Sequence, residues 1–200
     1  MDEQARPLRR AFFLPPTRPK LPAMTKILVL GGVRSGKSGL AERLAALDSR
    51  VCYLATASAG DQEMAERIRR HRARRPADWA LVEEPVALGR VMAERADDAP
   101  TLLVDCMSLW LGQLLAAGDD AVLQRERHAF VDAVTAYPGG VVIVSNEVGL
   151  GTIGMDPLTR RFADELGWLN QDLAQRCDTV VLTVAGLPQV LKGELPEAVV

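Results

Sequence analysis

One eight-residue segment restricts the fold of this chain more than any other: Gly31-Gly32-Val33-Arg34-Ser35-Gly36-Lys37-Ser38 satisfies the pattern G-x-x-x-x-G-K-S. It follows the apolar run Ile27 to Leu30 and leads into Lys37 to Leu47, where apolar residues recur at helical spacing. A strand that ends in glycines and turns at once into a helix belongs to an α/β architecture. The glycines let the main chain wrap around phosphate oxygens, successive N–H groups point inward, and the helix N-terminus adds positive potential. In such a loop Lys37 reaches the β- and γ-phosphates of a nucleotide, and the Ser38 hydroxyl lies on the Mg²⁺ that bridges them.

The remaining chain agrees with this architecture. Val51 to Thr56, Thr101 to Asp105, Val141 to Ser145 and Thr179 to Val184 are nearly all apolar with little alternation, the pattern of strands buried on both faces. With Ile27 to Leu30 they predict a mostly parallel sheet of five strands, with room for a sixth. Between them, Glu63 to Arg74, Val86 to Arg95, Leu109 to Ala116, Ala121 to Ala136 and Leu158 to Arg176 repeat apolar residues at three- and four-residue spacings and predict covering helices. The one long connection, Gly149 to Pro157, follows a strand end and is a candidate functional loop.

Before Met24 the pattern changes. Pro7, Pro15, Pro16, Pro19 and Pro22 stand among basic residues, and the only apolar run, Ala11 to Leu14, is too short for the core of a signal peptide. Residues 1–23 are expected to form a disordered extension, or to reflect a gene start set too far upstream; residues 24–200 are expected to form one catalytic domain. A chain of 200 residues with 48% hydrophobic and 25% charged residues has the balance of an ordinary folded domain. The net charge of −2 supplies no general field for nucleic acid, and the best membrane-span candidate, Thr101 to Ala117, is too short and carries Asp105. The three cysteines, Cys52, Cys106 and Cys177, lie far apart with no metal or redox spacing, so buried free thiols in a cytoplasmic protein are expected.

Two further sites carry chemistry. Asp105 closes the run Leu102-Leu103-Val104, where an acid that supports a nucleotide-bound metal belongs. The C-terminal ends of parallel strands converge on one edge, so Thr56, Asp105 and Glu147 are expected around the phosphate loop. In the segment from Glu63 to Pro76, helical spacing sets Arg67, Arg74 and Arg75 on the same face as His71. Their charges favour the neutral, nucleophilic imidazole and would also bind phosphates. A solvated amphipathic helix with Met64 and Ile68 facing the core explains the same pattern. No N-K-x-D segment is present, which disfavours a guanine-switch protein and leaves a small-molecule kinase or nucleotidyltransferase.

Together these segments resemble one family, the bifunctional adenosylcobinamide kinase and adenosylcobinamide-phosphate guanylyltransferase of cobalamin biosynthesis. The resemblance runs from Lys26 to about Lys192. It is carried by the phosphate loop, by Tyr53-Leu54-Ala55-Thr56-Ala57, by the series from Glu63-Met64 through His71 to Glu83-Glu84-Pro85, and by Val104-Asp105-Cys106. Ser145-Asn146-Glu147-Val148-Gly149, Asn170-Gln171 and Gly186-Leu187-Pro188 continue it. The resemblance implies a RecA-like P-loop fold with helices on both sheet faces, a homotrimer, a corrinoid substrate, and ATP or GTP used with Mg²⁺. It also implies GMP transfer through His71. The nucleotide contacts it implies fall on Gly31 through Ser38, on Thr56, Ala57 and Ser58, on Arg72, Ala73, Arg74 and Arg75, and on Glu83 and Asp105. A single-activity P-loop kinase of small metabolites is the alternative.

Overall fold

The computed structural model describes residues 25–57, 69 and 76–199. The expected N-terminal extension, Ser58, and the segment carrying His71 and Arg72 to Arg75 lie outside the described residues. Among the described residues seven strands form one sheet: β1 (Lys26–Gly31), β2 (Val51–Ala55), β3 (Ala80–Glu83), β4 (Thr101–Asp105), β5 (Val141–Asn146), β6 (Thr179–Val184) and β7 (Leu187–Lys192), in the order β3-β2-β4-β5-β1-β6-β7. All pair in parallel except β7, which runs antiparallel to β6. The described helices are α1 (Lys37–Ala45), α2 (Leu88–Glu94), α3 (Met107–Ala116), α4 (Asp120–Ala136) and α5 (Pro157–Arg176).

The central strands lack alternation because both of their faces are covered. On one side Leu28, Leu54, Val104 and Ile143 pack with Trp110, Phe130 and Leu166 from the helices, and the Trp110 and Phe130 ring centroids stand 5.4 Å apart. On the other side Val29, Tyr53, Leu103 and Val144 pack against Leu40 and Leu44 of α1 and Val199 near the C-terminus. Helix starts follow local chemistry. Asp156 accepts from the Thr159 N–H with Pro157 in the first turn of α5, and Asp119 accepts from the Val122 N–H ahead of α4.

The sheet has two strands more than the five read from apolar runs, and both are edges. β3 is four residues long and mostly exposed, and β7 is exposed along most of its length and contains Pro188, which only an edge tolerates. Neither needs a continuous apolar run, so neither carries the signal of a buried strand. The β6–β7 hairpin turns at Ala185 and Gly186, both at positive φ (52° and 82°), the geometry of a tight primed turn. The expected buried free thiols are confirmed for Cys52, Cys106 and Cys177. No described helix is long and apolar enough to cross a membrane.

Candidate active site

Parallel pairing brings the C-terminal ends of the strands to one edge. Gly31 lies opposite Asn146 on one side and Thr183 on the other, and Asp105 lies opposite Ala55. The phosphate loop leaves this edge under tight steric control. A Cβ on Gly31 would come within 2.4 Å of Ser35 Oγ and 2.7 Å of the Thr183 carbonyl oxygen, so the strand can close against the loop only as glycine. Gly36, with φ of 96°, ends the loop and opens α1, and a Cβ there would sit 3.0 Å from the Cα of Gly186.

The loop is anchored from both neighbours. The Gly186 N–H donates to the Ser35 carbonyl at 2.8 Å, and the Glu147 N–H donates to the Gly31 carbonyl at 3.1 Å. The Gly186-Leu187-Pro188 segment therefore serves the phosphate loop through the hairpin turn, a connection hidden by the 151 positions that separate Ser35 from Gly186. Gly32, Val33, Arg34 and Gly36 are exposed at the tip, while Lys37 and Ser38 are half-buried at the start of α1. Lys37 Nζ donates to the Gly32 carbonyl at 3.0 Å, which keeps the ammonium folded over the loop. The Ser35 side chain instead packs inward, so its main chain is the part available to a ligand.

Asp105 stands two strands from β1, with β5 between them, about 10 Å away at ordinary strand spacing. Tyr53 Oη donates to Asp105 Oδ2 at 2.8 Å. One carboxylate at this edge and one hydroxyl at Ser38 are hard oxygen donors of the sort that suit Mg²⁺ held jointly with nucleotide phosphates, so the residues present fit that ion. Glu147 also reaches the edge, where its Oε1 accepts from the Gly149 N–H at 2.7 Å.

Thr56 makes four hydrogen bonds within the protein. Its hydroxyl donates to the Cys106 carbonyl and accepts from the Cys106 N–H, both at 2.9 Å. Its own N–H donates to the Asp105 carbonyl, and its carbonyl accepts from Gln113 Nε2 at 2.6 Å. Fully buried, Thr56 thus ties the end of β2 to the end of β4. Ala57, half-buried, follows it along the edge. Glu83 is exposed on β3, four strands from β1, or about 19 Å at the same spacing. It is not brought to the phosphate loop.

Two segments that carry the resemblance, Ser145-Asn146 and Asn170-Gln171, are bonded to each other. Ser145 Oγ donates to Asn170 Oδ1 at 2.6 Å, and Asn170 Nδ2 donates to the Asn146 carbonyl at 3.0 Å, so α5 fixes the strand end beside the loop. Asn146 Oδ1, Ser35 Oγ and Thr183 Oγ1 are buried around this edge without a hydrogen-bond partner among the described residues. Burial raises the Cys106 thiol pKa, and the neighbouring Asp105 charge adds to that, which leaves the thiol a poor nucleophile.

A family model described as cobinamide kinase / cobinamide phosphate guanyltransferase matches residues 27–191. The chain belongs to that family. It is 53% identical over 168 residues to the bifunctional adenosylcobalamin biosynthesis protein CobP of Pseudomonas aeruginosa, a match covering 84% of this chain and 97% of that protein. It is 38% identical over 181 residues to CobU of Salmonella typhimurium and 35% identical over 179 residues to CobU of Escherichia coli, both of the same bifunctional description; each match covers 83% of this chain and 99% of the relative. The phosphate loop thus sits in a transferase of the bifunctional kinase and guanylyltransferase kind, not in a single-activity kinase.

Proposed function

We propose that the enzyme phosphorylates the aminopropanol hydroxyl of adenosylcobinamide with ATP or GTP, then transfers GMP from GTP onto the new phosphate, giving adenosylcobinamide-GDP and pyrophosphate. The observation that carries this reading is the anchored phosphate loop at a sheet edge shared with Asp105, in a chain matched to the family over residues 27–191. In the first reaction the substrate oxygen attacks the γ-phosphorus and the nucleoside diphosphate leaves. Main-chain N–H groups of Gly32 to Lys37 hold the phosphates, and the Lys37 ammonium exchanges the Gly32 carbonyl for phosphate oxygens. Ser38 and Asp105 would hold Mg²⁺, which when bound neutralises charge on the transferring group.

In the second reaction a neutral His71 ring nitrogen attacks the α-phosphorus of GTP, expelling pyrophosphate. A phosphate oxygen of the corrinoid then attacks the same phosphorus and releases the histidine. Arg72, Arg74 and Arg75 supply charge for the crowded phosphates, and forked guanidinium groups suit that task. Ala57, Ser58 and Ala73 complete the nucleotide-binding set, with Glu83, farther along the same strand-end edge, assigned to the part of the nucleotide away from the phosphates. We propose further that the enzyme works in the cytoplasm and assembles as a homotrimer; large apolar side chains left on its surface, such as Trp168, Leu187 and Leu191, support association between subunits.

Incubation with Mg²⁺ and GTP labelled at the α-phosphate, followed by denaturation, tests the covalent step. Label that survives base, is lost in acid, is not given by γ-labelled GTP and is missing from His71→Ala identifies a histidine-bound GMP. A protein that binds GTP yet takes up no label would overturn the role of His71.

A further inference from the structure

We infer that Tyr53 is a positioning residue for the Asp105 carboxylate, setting its orientation toward the nucleotide-bound metal; this rests on the reading of Asp105 as a metal-holding group. In the β2–β4 register Tyr53 lies opposite Leu103 and Ala55 opposite Asp105, so Tyr53 and Asp105 are diagonal neighbours on one sheet face, within reach of a long aromatic side chain. That face is the one covered by α1, the helix that follows the phosphate loop. Tyr53 is 4% exposed and belongs to the same buried cluster as Val29, Leu40, Leu103 and Val142. A buried phenol needs a partner for its O–H, and here the partner is Asp105 Oδ2 at 2.8 Å.

The bond joins a rigid side chain to one that would otherwise swing. A carboxylate at a strand end turns readily about its side-chain torsions, whereas the Tyr53 ring is locked by the core beneath it. A hydrogen bond to an ionised oxygen is among the stronger ones, so one carboxylate oxygen is held and the direction of the other is set. The main chain on either side of that carboxylate is clamped as well. The Thr56 hydroxyl holds both polar groups of Cys106, the Thr56 N–H holds the Asp105 carbonyl, and Gln113 holds Thr56 in turn. Groups that orient a metal-holding side chain commonly alter metal affinity when removed, even though they never touch the ion.

Mn²⁺ in place of Mg²⁺ makes the test direct. Its affinity is read by electron paramagnetic resonance on protein loaded with α,β-methylene GTP, without corrinoid, so no turnover intervenes. Tyr53→Phe, which keeps the ring and removes the hydroxyl, is expected to weaken Mn²⁺ binding about 10-fold while metal-free nucleotide binding and the urea midpoint stay close to wild type. Asp105→Asn should weaken Mn²⁺ at least as much. Phe130→Leu, in the core on the opposite face of the sheet, should soften the protein without changing Mn²⁺ affinity. Wild-type Mn²⁺ affinity in Tyr53→Phe alongside a loss in Asp105→Asn would overturn the inference, as would an equal loss in Phe130→Leu. An unchanged affinity in Asp105→Asn would instead overturn the metal-holding role of Asp105, and Tyr53's with it.

Discussion

At the N-terminal ends of the parallel strands the buried polar side chains of Lys26, Thr101 and Thr179 are paired; around the phosphate loop at the C-terminal ends, beside paired groups such as Thr56 and Ser145, three buried oxygens have no partner among the described residues. Lys26, at the start of β1, donates from Nζ to the carbonyls of Tyr137 and Gly139 at 2.7 and 2.5 Å, and its Nζ lies over the Tyr137 ring. Its main chain exchanges bonds with Asp178, both at 2.8 Å. Beside it, Tyr137 Oη donates to the Pro100 carbonyl and Thr101 Oγ1 donates to Asp48 Oδ2. At the opposite edge Ser35 Oγ, Asn146 Oδ1 and Thr183 Oγ1 stand around the phosphate loop with no such partners among the described residues. A polar group saturated in the free protein contributes stability, whereas one left unsatisfied costs it and persists where a ligand or a reaction uses the geometry. One sheet therefore carries a stabilising end and a reactive end.

The largest effect that would sharpen this contrast comes from Lys37. Lys37→Ala should lower both phosphorylation of adenosylcobinamide and GMP transfer, the former by about 10²–10³-fold, as for loss of a charge-stabilising donor, with little change in the urea midpoint. An unaltered kinase rate would remove the phosphate loop from the chemistry. Lys26→Met should do the reverse. It leaves two buried carbonyls unpaired at a cost of about 2–3 kcal/mol, read as a lower urea midpoint, while turnover per folded molecule is kept. A strong loss of turnover with stability intact would break the division between the two ends.

Thr183→Val is a smaller and more pointed test. Replacing a buried, unpartnered hydroxyl with a methyl of the same shape should raise the stability of the nucleotide-free protein by about 1 kcal/mol. A lower midpoint would mean that the hydroxyl is satisfied and that the two ends do not differ in this way. The smallest effect is expected in acid. Burial alone would raise the Asp48 pKa, but the Thr101 hydroxyl, the Arg50 and Ser49 N–H groups and the Arg50 charge outweigh it and hold the carboxyl below the ordinary aspartate value. Its folded pKa being depressed, Asp48 contributes stability that is present above its unfolded pKa and lost as pH falls through the folded one. Asp48→Asn should flatten the decline of the urea midpoint below about pH 4, and an unchanged slope would assign the acid sensitivity elsewhere.

What could be read in advance follows the physics of each element. Buried strands such as Leu102 to Val104 and Val141 to Val144 declare themselves because both faces must be apolar, and the phosphate loop declares itself because glycine is required at Gly31 and Gly36. The edge strands β3 and β7 were silent, since an exposed edge accepts polar residues and even Pro188. Thr56 was legible as a residue at the site, but its part there was not: the hydroxyl serves Cys106, a partner 50 residues away. Glu83 matched the family segment, yet its strand lies at the far edge of the sheet from the phosphate loop.

The sequence by itself determined the α/β class, the phosphate loop, Asp105 at a strand end and the family, because each rests on residues close together in the chain or on segments matched in order. Only the tertiary structure decided that the Gly186 turn braces the phosphate loop and that β5 separates that loop from Asp105. It alone decided that Tyr53 grips the Asp105 carboxylate. The physical reason is that hydrogen bonds and close backbone approaches between distant segments depend on strand order and register, and a linear pattern of residue types carries neither.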